Sequence, residues 1–249
     1  MKLENPIAVR SDKAVYRDGD MAVKVFNENY AKADVLNEAL NTARVEQTGI
    51  LMPHLEGVSK IDGKWAISTR YIAGKSLQQL MEEHPERMDE YLNLFVDIQM
   101  NIHKHTCPML NHLTEKMQKK ISASALDATA RYELHTRLAS MKVHNKLCHG
   151  DFVPSNVIIS ASGAPYVLDW SHATQGNASA DVARTYLVFC LEGKQDLADK
   201  YLKLFCKKSD TAIQYVQRWI PIVAASQSVK GKPEEKELLL QWADVVEYQ

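Results

Sequence analysis

Hydrophobic and polar positions change rhythm several times along the chain. Residues 6 to 27 read as short strands joined by tight turns: PIAV, then AVY, the turn signal RDGD, and MAVKVF, whose side chains alternate. From about Ala31 to Thr48 the period lengthens, with Val35, Leu36, Ala39, Leu40 and Ala43 at helical spacing and Gly49 as a stop. Alternation returns in LEGVSKIDGKWAISTRYI around the turn Asp62-Gly63, and Ala73-Gly74-Lys75-Ser76 breaks it before another helix. Beyond that point the pattern is mostly helical. Met88, Tyr91, Leu92, Phe95, Ile98 and Ile102 form one stripe, and Leu134, Leu138 and Met141 another. One interruption, LCHGDFVPSNVIISASGAPYVLDW, reads as two β-rich runs around the loop SASGAP. Four further runs, DVARTYLVFCLE, LADKYLKLFC, TAIQYVQRWIPIVAAS and EKELLLQWADVV, return to helical spacing. The expected class is therefore α+β, with a small β-rich lobe over residues 1–72 and a larger, mainly helical lobe over 73–249.

Composition narrows the chemistry. Thirty Lys and Arg stand against 31 Asp and Glu, so no net field holds a polyanion or an acidic membrane surface, and neither nucleic acid nor membrane is expected as a partner. Cys107, Cys148, Cys190 and Cys206 lie far apart without a CxxC pair, which favours neither a disulfide framework nor structural zinc. Reduced thiols, an N-terminus without a signal-peptide core and apolar runs too short for a bilayer give the expectation of a cytoplasmic protein.

Candidate chemistry gathers in the one β-rich interruption. Asp151, Asn156 and Asp169 fall at strand ends, where side chains reach a rim. A carboxylate and an amide oxygen are the hard donors that Mg²⁺ accepts, usually one or two from protein with phosphates and water completing the shell. Asn156 and Asp169 can supply that pair. Asp151 is then left to orient an attacking hydroxyl and accept its proton late, which suffices when a phosphoryl group moves through a loose transition state.

The pattern His149-Gly150-Asp151, four residues, Asn156, then Leu168-Asp169-Trp170 after a hairpin resembles the catalytic core of the aminoglycoside phosphotransferase family, which also includes choline, homoserine and fructosamine kinases. That resemblance implies a bilobal protein-kinase-like fold, with Asp151 as base, Asn156 and Asp169 as magnesium ligands and His149 as an anchor of the loop. Ser155 would touch the γ-phosphate. Upstream it implies an ion pair of Lys24 with Glu38, the lysine facing the α- and β-phosphates of ATP or GTP. It also implies an adenine-binding hinge at Ser68, Thr69, Arg70, Tyr71 and Ile72, and a nucleotide-covering loop tipped by Ser11 and Asp12. No glycine-rich loop stands there, and Trp170-Ser171 replaces the Phe-Gly of protein kinases. The implied reaction moves the γ-phosphoryl group to a hydroxyl of an aminoglycoside-like, amino-alcohol or sugar acceptor.

Each of these residues also has a plainer identity. His149-Gly150-Asp151 alone is a turn, Lys24 a strand lysine and Glu38 a solvated helix residue; order and spacing lend them chemistry. Asp181 reads equally as a first-turn acid of a helix and as an anchor of the catalytic loop. Gly74-Lys75-Ser76 is not a P-loop, because Thr69 stands where its first glycine belongs. His103, His105 and Cys107 read as a helix end. Glu192, Asp196, Asp199, Glu234, Glu235 and Glu237 read as solvated faces, and Trp170, Tyr186, Trp219 and Trp242 as core or an aromatic cage. Three other functions compete: a protein kinase, a metal-dependent phosphoesterase and a catalytically inactive nucleotide-binding relative. Only twelve positions separate Asp169 from Asp181, too few for a peptide-docking activation segment. The DxH and GNH motifs of the phosphoesterases are missing as well.

Overall fold

A computed structural model describes residues 6–10, 12–229 and 233–243. In chain order its first half runs β1 (Pro6–Val9), β2 (Lys13–Asp18), β3 (Met21–Phe26), α1 (Lys32–Glu46), β4 (Leu55–Ile61), β5 (Lys64–Arg70), β6 (Gly74–Ser76), α2 (Leu77–Glu83), α3 (Met88–Ile102), α4 (Leu113–Ala123) and α5 (Ala128–Ser140). The second half runs β7 (Lys146–Cys148), β8 (Val157–Ser160), β9 (Pro165–Val167), β10 (Thr174–Gly176), α6 (Ala178–Leu191), α7 (Gln195–Ser209), α8 (Ile213–Gln217), α9 (Ile220–Ser228) and α10 (Pro233–Ala243). Two compact units result, 1–87 with 154–172, and 88–153 with 173–249. This division falls later than residue 72, and it returns the hairpin β8–β9 to the first unit.

In the first unit an antiparallel sheet of order β1-β2-β3-β5-β4 carries α1. Their shared core is Phe26, Val35, Ala39 and Ile67, with Tyr30, Leu55, Val58 and Trp65 packed around it. Val35 and Ala39, four residues apart, stack on one helix face. Leu36 and Leu40 lie one residue further round, about 100° away, and are 42% and 47% exposed, whereas Glu38, Asn41, Thr42 and Val45 on the other side are buried, so the covered face of α1 is turned away from the stripe its sequence implies. The second sheet, β6-β8-β9, draws the hairpin into this unit. A side chain at Gly74 would put its Cβ 2.2 Å from the Ile159 carbonyl, so glycine permits the β6–β8 pairing. Ser76 caps α2 by accepting from the Gln79 amide, and the Gln79 side chain accepts from the Ser76 amide in return. Residues 73–76 thus have structural duties, in keeping with their rejection as a P-loop.

The second unit is built on helices, with α6 packed against α7 and α9. Phe95 of α3 stacks on Phe152 at 4.4 Å between ring centroids, and Phe189 and Tyr201 close around it. A two-stranded ribbon pairs β7 with β10, setting Lys146 opposite Gly176 at the entrance to α6. Residues 211–226, one helical run in the sequence, divide into α8 and α9, with Pro221 in the first turn of the latter. The end of the last run, 244–246, lies outside the described residues. Among the described residues no helix is long and apolar enough to cross a membrane. All four cysteines are free thiols.

Candidate active site

Lys24 occupies the middle of β3, paired with Val15 on one side and Ile67 on the other. Its Nζ lies 2.5 Å from Glu38 Oε1 and 3.4 Å from Asp169 Oδ1, while Lys13 Nζ stands 3.7 Å from Asp169 Oδ2. Burial works against the Lys24 charge, but Asp169 and Glu38 outweigh it and the net effect raises its pKa. Glu38 is 5% exposed, so its carboxylate depends on this ammonium for compensation.

Asp169 adopts a φ of +60°, a left-handed conformation that Asp tolerates better than most side chains. The indole of the buried Trp170 donates to the Val167 carbonyl, and Asn41 of α1 donates to the Ser171 carbonyl, fixing the turn on both sides of that conformation. Asn156 ends a short 3₁₀ turn that also holds Ser155. Its carbonyl accepts from the Leu168 amide at 2.8 Å, so Asn156 and Asp169 share the open end of the β8–β9 hairpin. Among the described residues no three His, Cys, Asp or Glu side chains gather into a metal cage. The Asp169 carboxylate, with Lys13 and Lys24 beside it, and the Asn156 amide at the same end of the hairpin are oxygen-donor types that fit a Mg²⁺ whose remaining ligands are substrate phosphates and water.

Thr69 and Arg70 end β5, and Tyr71 and Ile72 follow it. The Arg70 amide donates to the His54 carbonyl and the Tyr71 amide to that of Asp20, leaving the Ile72 N–H as the first beyond the ladder without an acceptor among the described residues. The Arg17 guanidinium lies over the Tyr71 ring at 4.3 Å. Ser11 lies outside the described residues. Its neighbour Asp12 accepts the Asn27 amide through its carbonyl.

In the second unit the loop after β7 is held from beneath. Gly150 has a φ of +80°, and its amide donates to Asp181 Oδ1 at 2.6 Å; the His149 amide donates to Asp181 Oδ2 at 3.2 Å. His103 Nε2 completes the set, 3.0 Å from the same Oδ2. Burial raises the Asp181 pKa, but the hydrogen bond and charge of His103, with help from His149 and the Gly150 amide, pull it below the usual carboxylate value. Asn177, not Asp181, caps α6 by accepting from Ser179. Asp181 is therefore both a first-turn acid and the anchor of the loop. His149 is fully buried, and its Nδ1 accepts the Asp151 amide at 3.2 Å. Thr185 donates to the Phe152 carbonyl, pinning the far side. Asp151 itself meets Arg184 of α6, whose Nη2 lies 3.0 Å from Oδ1.

The family model of a phosphotransferase enzyme family matches residues 6–216. The chain belongs to this family. Its members transfer phosphoryl groups to hydroxyls of small molecules. Among solved structures, an apo thermostable mutant of the aminoglycoside phosphotransferase APH(4)-Ia superposes with a TM-score of 0.69 at 13% identity, over 98% of this chain and 91% of that one. Choline kinase LicA from Streptococcus pneumoniae gives 0.66 at 16% identity, over 98% and 92%. A related APH(4)-Ia mutant in ternary complex with AMP-PNP and hygromycin B gives 0.68 at 13%, over 96% and 89%. At these identities the likeness is one of fold, and it establishes the protein-kinase-like α+β architecture. No curated protein matches the sequence.

Within this family member, three side chains of the two clusters are not evident from the sequence. Lys13 and Arg184 carry no local mark, because each gains its interest from a carboxylate more than thirty residues away. His103 reads as a helix end and does follow α3, yet its ring reaches Asp181, 78 residues later. The buried Trp170 and Trp219 belong to the core, whereas Tyr186 and Trp242 pair at 6.1 Å, with the Tyr186 hydroxyl donating to Asp199.

Proposed function

We propose that this protein is a small-molecule kinase that transfers the γ-phosphoryl group of ATP or GTP to a hydroxyl of an aminoglycoside-like, amino-alcohol or sugar acceptor. The observation that carries the proposal is the Lys24 ammonium shared by Glu38 and Asp169 at 2.5 and 3.4 Å, in a chain whose family transfers phosphate. Lys24 neutralises the α- and β-phosphates, and Glu38 holds the ammonium extended toward them. The base of the nucleotide takes up backbone groups of Thr69, Arg70, Tyr71 and Ile72, with the Ile72 N–H as donor. Ser11 contributes to the loop that covers the phosphates.

Asn156 and Asp169 would hold Mg²⁺, which supplies charge neutralisation on the β- and γ-phosphate oxygens. Ser155 donates a hydrogen bond to a γ-phosphate oxygen. Asp151 accepts a hydrogen bond from the acceptor hydroxyl and aims its oxygen at phosphorus. As the new O–P bond forms and the bond to the β-phosphate oxygen breaks, the hydroxyl proton passes to Asp151. Arg184 is a positioning residue, since its guanidinium holds Oδ1 of Asp151 and so orients the carboxylate that meets the acceptor. An amino-alcohol acceptor has particular support in the half-buried pair Tyr186 and Trp242 beside Asp199, a combination suited to an ammonium group.

The test is phosphate incorporation from ATP and GTP into a panel of aminoglycosides, choline, amino alcohols and sugars, using wild type and Asp151→Ala in parallel. Transfer to one acceptor class, lost in the variant, is the expected result. Equal rates from both proteins would remove Asp151 as the base, and saturable nucleotide binding without transfer to any acceptor would instead mark an inactive relative.

A further inference from the structure

The second unit contains a cleft of about 590 Å³ that includes neither Asp151 nor Arg184 among its lining residues. Its walls come from the turn after α3, the end of α7, the start of α8, the chain leading into β7 and the first turn of α6. Four lysines line it, Lys104, Lys142, Lys146 and Lys208, against one carboxylate, Asp210. Lys208 is engaged by Asp97 at 2.7 Å, while Lys104, Lys142 and Lys146 have no ion-pair partner among the described residues. Backbone geometry draws two of these cations toward a helix start: Lys146 pairs with Gly176, and the Lys142 carbonyl accepts from Asn177, the cap of α6. The positive end of that 14-residue helix adds to their field.

Two histidines register this environment. His144 is held below its ordinary pKa by burial, then by Lys146 and Lys142. His103, 5% exposed, forms part of the wall; its Nε2 is taken by Asp181, and its Nδ1 is buried without a hydrogen-bond partner among the described residues. In a protein of 30 basic and 31 acidic residues, the cleft thus gathers four lysines, three of them without an ion-pair partner among the described residues, against the single carboxylate of Asp210. The volume lies within the range of about 300–1,000 Å³ usual for small-molecule sites.

We propose that this cleft is a binding site for a small phosphorylated anion, separate from the site of phosphoryl transfer. Lys142 and Lys146 grip the phosphate oxygens at the mouth of α6, with Lys104 facing them from the turn after α3. The inference does not rest on the function proposed above, because no residue of the cleft takes part in that chemistry. It has a structural consequence all the same. His103 stands between the cleft and Asp181, whose carboxylate holds the amides of His149 and Gly150 just ahead of Asp151.

Inorganic pyrophosphate is the probe, titrated calorimetrically into the full-length protein without nucleotide or Mg²⁺. The comparison includes wild type, Lys24→Met, and Lys142→Glu with Lys146→Glu. Both exchanged lysines of the cleft are exposed, and thermal unfolding checks that each variant folds. Saturable binding by wild type and Lys24→Met is expected, weakened by about tenfold or more in the double variant. In wild type the His144 imidazole resonances shift on binding, and the His144 titration midpoint rises as the added anion stabilises its charge. Absence of saturable binding in wild type overturns the proposal. So does binding that Lys24→Met abolishes and the double variant retains, because pyrophosphate then sits where nucleotide phosphates are expected.

Discussion

Asp151 offers one carboxylate oxygen to Arg184 at 3.0 Å, and its amide is tied to His149, so few torsions are left for it to choose among. Asp151→Ala is expected to lower turnover by about 10²–10⁴-fold while leaving the nucleotide Kd unchanged, measured by steady-state rates beside calorimetry. Arg184→Ala should act through geometry: kcat falls by about tenfold or more, nucleotide affinity stays, and Arg184→Lys restores only part because an ammonium lacks the planar fork. Rates unchanged in Arg184→Ala would remove its positioning role. At Lys24 the sign of the linkage is alkaline. With its pKa raised above the ordinary 10.5, the lysine contributes stability that is complete below that value and lost as pH rises through the raised one. Lys24→Met is expected to remove that alkaline slope from urea-denaturation free energies and to weaken nucleotide binding.

Among elements, α6 does the most to organise the loop after β7. One turn of this helix presents Asp181, Arg184 and Thr185, which hold respectively two loop amides, the Asp151 carboxylate and the Phe152 carbonyl. Asp181, with a pKa below its ordinary 3.8, contributes stability that is present above that value and lost as pH falls through the depressed one. Asp181→Asn should therefore flatten the acid limb of the stability curve, and cost about 3–5 kcal/mol at neutral pH by leaving His103 and two amides poorly matched. Urea unfolding between neutral and acid pH measures both. The same elements show what the sequence makes legible. The strand of Lys24, the stripe of α3 and the β8–β9 turn follow from periodicity, because burial on one face repeats every second or every three to four residues. The proposed roles of Asp151, Asn156 and Asp169 likewise start from their residue types and spacing. Arg184 and His103 were not legible, since a contact that spans 33 or 78 residues leaves no local period. Leu36 and Leu40 show the opposite: the covered face of α1 turns toward Glu38, Asn41 and Thr42, polar residues whose burial hydrophobic spacing does not reveal.

For the whole molecule, a nucleotide that binds only the folded chain adds RT ln(1 + [L]/Kd) to its stability, about 2.7 kcal/mol at a hundredfold excess over Kd. Mg²⁺ with ATP or GTP is expected to raise the unfolding temperature of wild type and to do so much less for Lys24→Met; equal shifts in both proteins would place the nucleotide away from Lys24. The family membership, the sheet carrying Lys24 and the helical unit carrying the Asp181-anchored loop agree with one another at this scale.

The first unit is also discontinuous, and this has a consequence for synthesis. Its strand β6 must wait for β8, and Lys24 for Asp169, until the chain beyond residue 172 has left the ribosome. At about 5–20 residues per second, this leaves β1–β6 exposed for several seconds beside a growing, unfinished helical segment. A nascent fragment ending near residue 87 would lack the hairpin, leaving Glu38 and Lys24 with each other alone.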